Sequence, residues 1–279
     1  MSADPTRARR PWARARRVRA PLACAVAAVL AVAGCSAPGG PDGADPHAGV
    51  DTGTTAAPAS PGAGGGASAA GAAVRAAVDG GVAQAGRYGF TLTAAASAAD
   101  LEALRSEPAD AMEGVVVIPS TCAAPVEALN WSPALLGADS ARTDFAADGV
   151  DATGSVEVAA VSDRGGLDSH YATVEAMLGE CRNMTLNIQS EGESGGVVPE
   201  TVQLRSTDPG LADGAADSAL LWTRAAETSG LRQQALVLIK ERDGHVAMVS
   251  FIGRSLPDEE KFATMASAIL DAALSALPE

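Results

Sequence analysis

Between Ser36 and Ala73 the chain offers one Val, Val50, and no larger apolar side chain. Ser, Ala, Pro, Gly, Asp and Thr supply nearly all the rest. A segment of this kind cannot bury enough surface to offset the entropy lost on ordering it. The sequence therefore predicts a disordered linker here and confines folding to the residues C-terminal of it. As a flexible coil of about 40 residues it would have a root-mean-square reach of roughly 35 Å. Residues 74–86 read as a loose helix or more linker, and the folded domain is expected to begin near Tyr88. The expected division is a leader at 1–34, a linker at 35–87 and a domain at 88–279.

The leader has its own pattern. Seven Arg, from Arg7 to Arg19, precede an apolar run from Pro21 to Gly34. That run has the length of a signal-peptide core and is too short to span a bilayer, which takes roughly 20 residues. It closes in Val32-Ala33-Gly34-Cys35, small residues before a Cys, which resembles a bacterial lipobox. The resemblance implies cleavage between Gly34 and Cys35, with a diacylglyceryl group on the Cys35 sulfur and acylation (palmitate) of the new amino end. Cys24 sits at the start of the apolar core, the wrong place for this role. The Arg16-Arg17 pair leaves twin-arginine export open beside the general route.

Charge divides at the same point. The formal net charge of −14 rests on 20 bases and 34 acids. Residues 1–34 hold seven of the bases and one acid, Asp4, so the remainder has 13 bases against 33 acids, a net −20. A part this acidic argues against nucleic acid, because phosphate binding needs clustered Lys and Arg. Ala accounts for 62 positions, so much of the hydrophobic fraction carries little burial energy. Arg outnumbers Lys 18 to 2, the bias expected of a GC-rich, actinobacterial genome.

Roughly 190 residues from Tyr88 onward are ample for one core. Phe262, Met265, Ile269, Leu270, Ala273 and Leu277 recur at helical spacing and predict a helix over about 257–277. Leu167, Tyr171, Val174, Leu178 and Cys181 predict another over about 168–180, capped by Asp168 or Ser169 after the Gly165-Gly166 breaker. Weaker helical patterns cover Ala95–Arg105 and Ser120–Leu129. Strands read around Val156/Val158, Met184–Ile188 and Val202/Leu204. A meander spans 219–225, 234–240 and 246–252, with Asp243-Gly244 as a hairpin turn. Strands in runs with helices before and after predict an α+β domain on an antiparallel sheet.

With the leader removed and Cys35 lipidated, Cys122 and Cys181 remain. An even pair in an exported domain reads as a disulfide. Closing a loop of roughly 60 residues stabilises by at most about 4 kcal/mol in the chain-entropy view.

Catalytic patterns fail on context. Gly192-Glu193-Ser194-Gly195-Gly196 matches the nucleophile-elbow string, yet a strand-like run with Pro199 comes after it where an elbow needs a helix. The expected reading is a polar hairpin loop. His170 reads as a solvated residue in the first turn of its helix, and His245 as part of a turn. His47, His170 and His245 are scattered, there is no Cys-x-x-Cys, and the acid clusters lack calcium-loop spacing. No metal and no cofactor are expected. Trp131, in a loop signal, is the least explained aromatic; core anchoring is its first reading, and lining a ligand cleft the second.

Taken in order, these elements resemble the extracytoplasmic sensor domain of PknH-type mycobacterial kinases and the free-standing lipoproteins related to it. A Cys opens a short helix, a second Cys ends the Leu167–Cys181 helix, and a strand meander and an amphipathic helix close the domain. The resemblance implies a mixed α/β fold with a ligand cleft. The kinase domains carry two disulfides where this chain has one Cys pair, and these 279 residues include no kinase segment. The expected function is a non-catalytic, sensor-like binding domain on the extracytoplasmic face of the cell membrane. Its membrane partner would be reached through the lipid on Cys35, its other partner being an unknown small molecule or envelope protein. An envelope enzyme without a recognisable motif and a lipid or lipoprotein carrier are the alternatives.

Overall fold

The computed structural model describes residues 68–106, 112–191, 197–226, 228–256 and 258–278. The leader, Gly34, Cys35 and most of the linker lie outside the described residues. So does the Gly192–Gly196 string.

The element order is α1 (Ala69–Arg87), β1 (Leu92–Ala95), α2 (Ala98–Ser106), β2 (Val115–Ile118), α3 (Ala123–Glu127), β3 (Ser140–Ala146) and β4 (Ala152–Ala160). Then come α4 (Arg164–Leu178), β5 (Asn183–Glu191), β6 (Val197–Thr207), β7 (Ser218–Ala226), β8 (Arg232–Arg242), β9 (His245–Gly253) and α5 (Glu259–Ser275). The nine strands form one open antiparallel sheet in the order β1-β3-β4-β9-β8-β7-β6-β5-β2. This is the antiparallel α+β architecture expected from the strand runs.

Helices cover the two faces unequally. On one face, α1 and α5 lie over β3, β4, β9 and β8, and their core gathers Val74, Val156, Leu236, Val249 and Ile269. Phe90, Phe145, Phe251 and Phe262 cluster within it at centroid distances of 5.1–5.5 Å, edge to face except for the tilted Phe90–Phe251 pair. On the other face, α3 and α4 cover the β5–β7 half, with Met177, Leu186, Val202, Leu204 and Trp222 between them.

The expected boundary at Tyr88 is too late. Residues 69–87 form a 19-residue helix whose Val74, Ala77, Val78 and Ala85 are buried. Ser68 caps it, accepting from the Gly71 N–H at 2.8 Å. The same small residues that read as linker let the helix pack closely. A Cβ on Gly80 would come within 2.8 Å of the Ala276 Cβ, and one on Gly81 within 3.0 Å of Val156 and 3.2 Å of Ala273. Interaxial distance depends on the side chains at the contact, so α1 docks on α5 because it lacks bulk there.

The closing helix begins at Glu259, with the Asp258 carboxylate accepting from the Lys261 N–H at 3.0 Å. The β8–β9 turn is as expected: Asp243 and Gly244 have φ of 49° and 74°, the left-handed pair that a two-residue hairpin needs.

Candidate functional site

Helix α4 carries His170 and packs beside the segment that holds Trp131. Asp163 caps it, accepting from the Gly165 N–H at 2.9 Å, so Gly165 and Gly166 lie inside the first turn and break nothing. This start places His170 in the second turn. Leu167, His170, Val174 and Met177, at steps of three and four, are buried toward the sheet.

His170 is thus a core residue, contrary to the expectation of a solvated one. It is 5% exposed. Its imidazole stacks on the Trp131 indole, with centroids 4.6 Å apart and planes 26° from parallel. Neither ring nitrogen has a hydrogen-bond partner among the described residues. Burial lowers its pKa to about 4, so the ring is neutral at pH 7. Trp131 itself is half-buried against Ala159, Leu167 and Met248, and it lines neither of the two surface clefts. Anchoring of the 128–136 segment is the role its contacts define.

Next to Trp131, the chain holds a buried carboxylate. Glu157, 0% exposed on β4, takes a hydrogen bond from Ser132 Oγ and one from the Ala134 N–H at 3.4 Å. The Arg142 Nη1 donates to its other oxygen at 2.6 Å, and Arg142 also pairs with Asp144. Burial opposes the Arg142 charge, but the Glu157 and Asp144 carboxylates outweigh it and hold the guanidinium above its usual range. Both Glu157 oxygens are therefore occupied, and the group pins the 132–134 turn to the sheet. No hydroxyl or carboxylate among the described residues bonds to His170, so Ser132, Glu157 and His170 form no proton relay.

His245 sits at the start of β9, with Nδ1 3.1 Å from the Asp243 carbonyl oxygen. The Gly192–Gly196 string is flanked by strands, since Glu191 pairs with Val197 across the β5–β6 ladder. A strand comes after it where an elbow needs a helix. Cys122 and Cys181 form a disulfide, buried at both ends, that ties the 120–122 turn to the residues just beyond α4.

Two of the surface clefts among the described residues are open to solvent. One, of about 420 Å³, lies beside the start of α5, between Tyr88 and Met265. The other, of about 330 Å³, runs between α4 and the β6–β7 loop. Tyr171, Val174, Glu175 and Leu178 form its helix wall, and the loop wall includes Asp208, Leu211, Asp213 and Asp217. The Tyr171 hydroxyl donates to Glu241 at 2.8 Å; burial and that carboxylate hold it protonated far above the usual phenol range. Sequence spacing could not join these walls, because the loop lies some thirty residues beyond α4 and only the strand order brings them together.

Among the described residues no three His, Cys, Asp or Glu side chains come together as metal ligands. No described helix is long and apolar enough to cross a membrane.

Neither a family model nor a curated protein matches the sequence. Among solved structures, the chain has a loose likeness to the extracellular domain of PknH from Mycobacterium tuberculosis. Identity is 11% and the TM-score 0.31, over 48% of this chain and 63% of that one. The chain thus matches less than two thirds of that domain's length.

Proposed function

We propose that this is an exported, lipid-anchored protein whose folded domain binds a small molecule or an envelope protein at the extracytoplasmic face, without chemistry of its own. The observation that carries the reading is the buried Cys122–Cys181 disulfide. Structural disulfides belong to oxidising compartments, and this one stands behind a leader that ends in Val32-Ala33-Gly34-Cys35. Support for binding rather than catalysis comes from the polar groups. Glu157 is saturated by Ser132, Ala134 and Arg142, while His170 stacks on Trp131 with no acid or hydroxyl among the described residues at either nitrogen. The cleft beside α4 remains as a concave surface with free polar groups.

Anchoring is tested by Cys35→Ser. The variant is expected to leave the membrane fraction or to persist as uncleaved precursor, with the lipid mass absent. An unchanged fraction and mass would refute lipidation. Binding is tested by thermal-shift screening against envelope metabolites and lipids; no stabilisation by any of them removes the small-molecule form of the reading.

A further inference from the structure

Residues 128–136, Ala-Leu-Asn-Trp-Ser-Pro-Ala-Leu-Leu, lie over the sheet beside α4 and contain no charged side chain. They form two short 3₁₀ turns, 128–130 and 133–136, and belong to no strand. What holds the segment comes from its neighbours. The Trp131 indole stacks on His170 of α4. The Glu157 carboxylate takes the Ser132 hydroxyl and the Ala134 N–H, and Arg105 Nε donates to the Ala134 carbonyl at 3.0 Å. Ser162 Oγ donates to the Leu136 carbonyl at 2.8 Å. Against Trp131 and Leu136 lies an apolar patch of Ala159, Leu167, Ile239, Val246 and Met248.

We infer that this segment is an acid-released strap: protonation of His170 frees Trp131 and bares the apolar patch beneath it, while the sheet and the disulfide stay intact. The inference does not depend on the binding reading. It gives the domain a conformational response to pH.

His170 makes the hold conditional. Both ring nitrogens are buried without a partner among the described residues. The neutral ring leaves one N–H unmet there, and the imidazolium would leave two. No acceptor stands ready for them. Of the charged groups facing α4, Glu127 ends α3, Glu200 stands on β6 and Arg224 on β7, and none of them bonds to the ring. Under the strap, Glu157 is taken up by Ser132, Ala134 and Arg142. On α4 itself Tyr171, with its ring centroid 6.4 Å away, gives its hydroxyl to Glu241. Burial is the influence that depresses the imidazole's proton affinity, with no charge to counter it.

A proton on His170 therefore puts an unpaired cation in an apolar setting. An indole face attracts a cation, but that effect is smaller than the desolvation of a charge with no acceptor. His170 is 5% exposed and Trp131 is half-buried, so the indole is the outer member of the stack. The imidazolium reaches water by displacing it. The move stays local, because the two larger cores, around Ile269 and around Leu186, include neither ring.

The test is hydrogen exchange of the full chain in detergent, read by mass spectrometry between pH 7 and pH 4 and corrected for the intrinsic pH dependence of exchange. The strap has protection to lose, since the Trp131 and Leu135 N–H groups bond to the Ala128 and Ser132 carbonyls. That protection is expected to fall roughly tenfold or more on going to pH 4, the change that one pH unit of proton linkage supplies. Strand β8 is expected to keep its protection. His170→Phe keeps a ring against Trp131 and cannot take a proton, so its strap should stay closed at pH 4. His170→Leu serves the same end where the larger ring does not seat. Loss of protection in the strap and β8 together would mean acid unfolding of the whole domain and overturn the inference. Unchanged strap protection at pH 4 overturns it as well. So does a strap that opens in the variants as it does in the parent, which moves the trigger away from His170.

Discussion

Phe145 on β3 lies across the ladder from Gly154 on β4, and its ring occupies the space a side chain at 154 would need. A Cβ there would fall 2.2 Å from the ring's Cε2. The ring cannot move aside freely, because Phe90 and Phe251 pack on it edge to face. Gly154→Ala is therefore expected to destabilise the domain by about 3 kcal/mol, the upper part of the overpacking range. Adding Phe145→Leu should restore part of that loss, and denaturant titration of both variants measures the coupling. Additive costs would show that the ring and the glycine are not in contact.

The α1–α5 crossing gives a second expectation. Gly80→Val places bulk where a Cβ already meets Ala276 at 2.8 Å. It should cost about 2 kcal/mol, a fall in melting temperature of roughly 4–8 °C for a domain this size. A chain cut just before Tyr88 loses the helix that buries Val74, Ala77, Val78 and Ala85. It should melt at lower temperature than one cut before Ser68. Equal melting would return residues 69–87 to the linker.

Removing the disulfide by Cys122→Ala with Cys181→Ala should lower stability by about 2–4 kcal/mol, since the loop it closes in the unfolded chain is long. Chemical denaturation with and without reductant gives the same comparison on the parent protein. Insensitivity to reductant would mean that the bond contributes little.

His170 sets a pH dependence whose sign comes from its burial. The folded-state pKa is about 4 against 6.5 in the unfolded chain. Below pH 6.5 the unfolded state binds the proton and the folded state resists it, so stability falls as pH drops from 6.5 to about 4. Across that window the loss is on the order of 3 kcal/mol, at about 1.4 kcal/mol per pH unit. His170→Phe keeps a ring against Trp131 and removes the titration. Its stability should change less between pH 7 and pH 4 than that of the parent, and parallel profiles for the two would rule out this assignment.

Periodicity carried much of the sheet and the closing helix. Strands β4, β5 and β6 alternate apolar and polar residues around 155–158, 184–189 and 202–205, β7 to β9 show as short apolar runs set off by turns, and α5 shows a full apolar stripe. What the sequence concealed has physical causes. Helix α1 is mostly Ala and Gly, whose value lies largely in close approach, with Val74 and Val78 as its few larger buried side chains. Strand β3, Ser-Ala-Arg-Thr-Asp-Phe-Ala, buries Ser140 and Thr143 and sets Arg142 against Glu157, so no apolar alternation marks it. Strand β2 is four β-branched residues at a sheet edge, too short a run to tell strand from helix. His170 was legible in principle: it falls at i+3 from Leu167 and i−4 from Val174, on the buried stripe. Trp131 as its stacking partner, and the α4 cleft, depend on contacts between distant segments and have no local signature.

The first and last helices of the described fold lie side by side. A load entering through the chain before Ser68 therefore meets the α1–α5 crossing first. That crossing brings Gly80 and Gly81 close to Ala272, Ala273 and Ala276, beside the buried Val74 and Val78 of the same helix. Tension on the N-terminal end would peel α1 away before it reached the hydrogen-bonded ladders of the sheet. The Cys122–Cys181 disulfide lies on the opposite face of the sheet, with α3 and α4, away from that crossing.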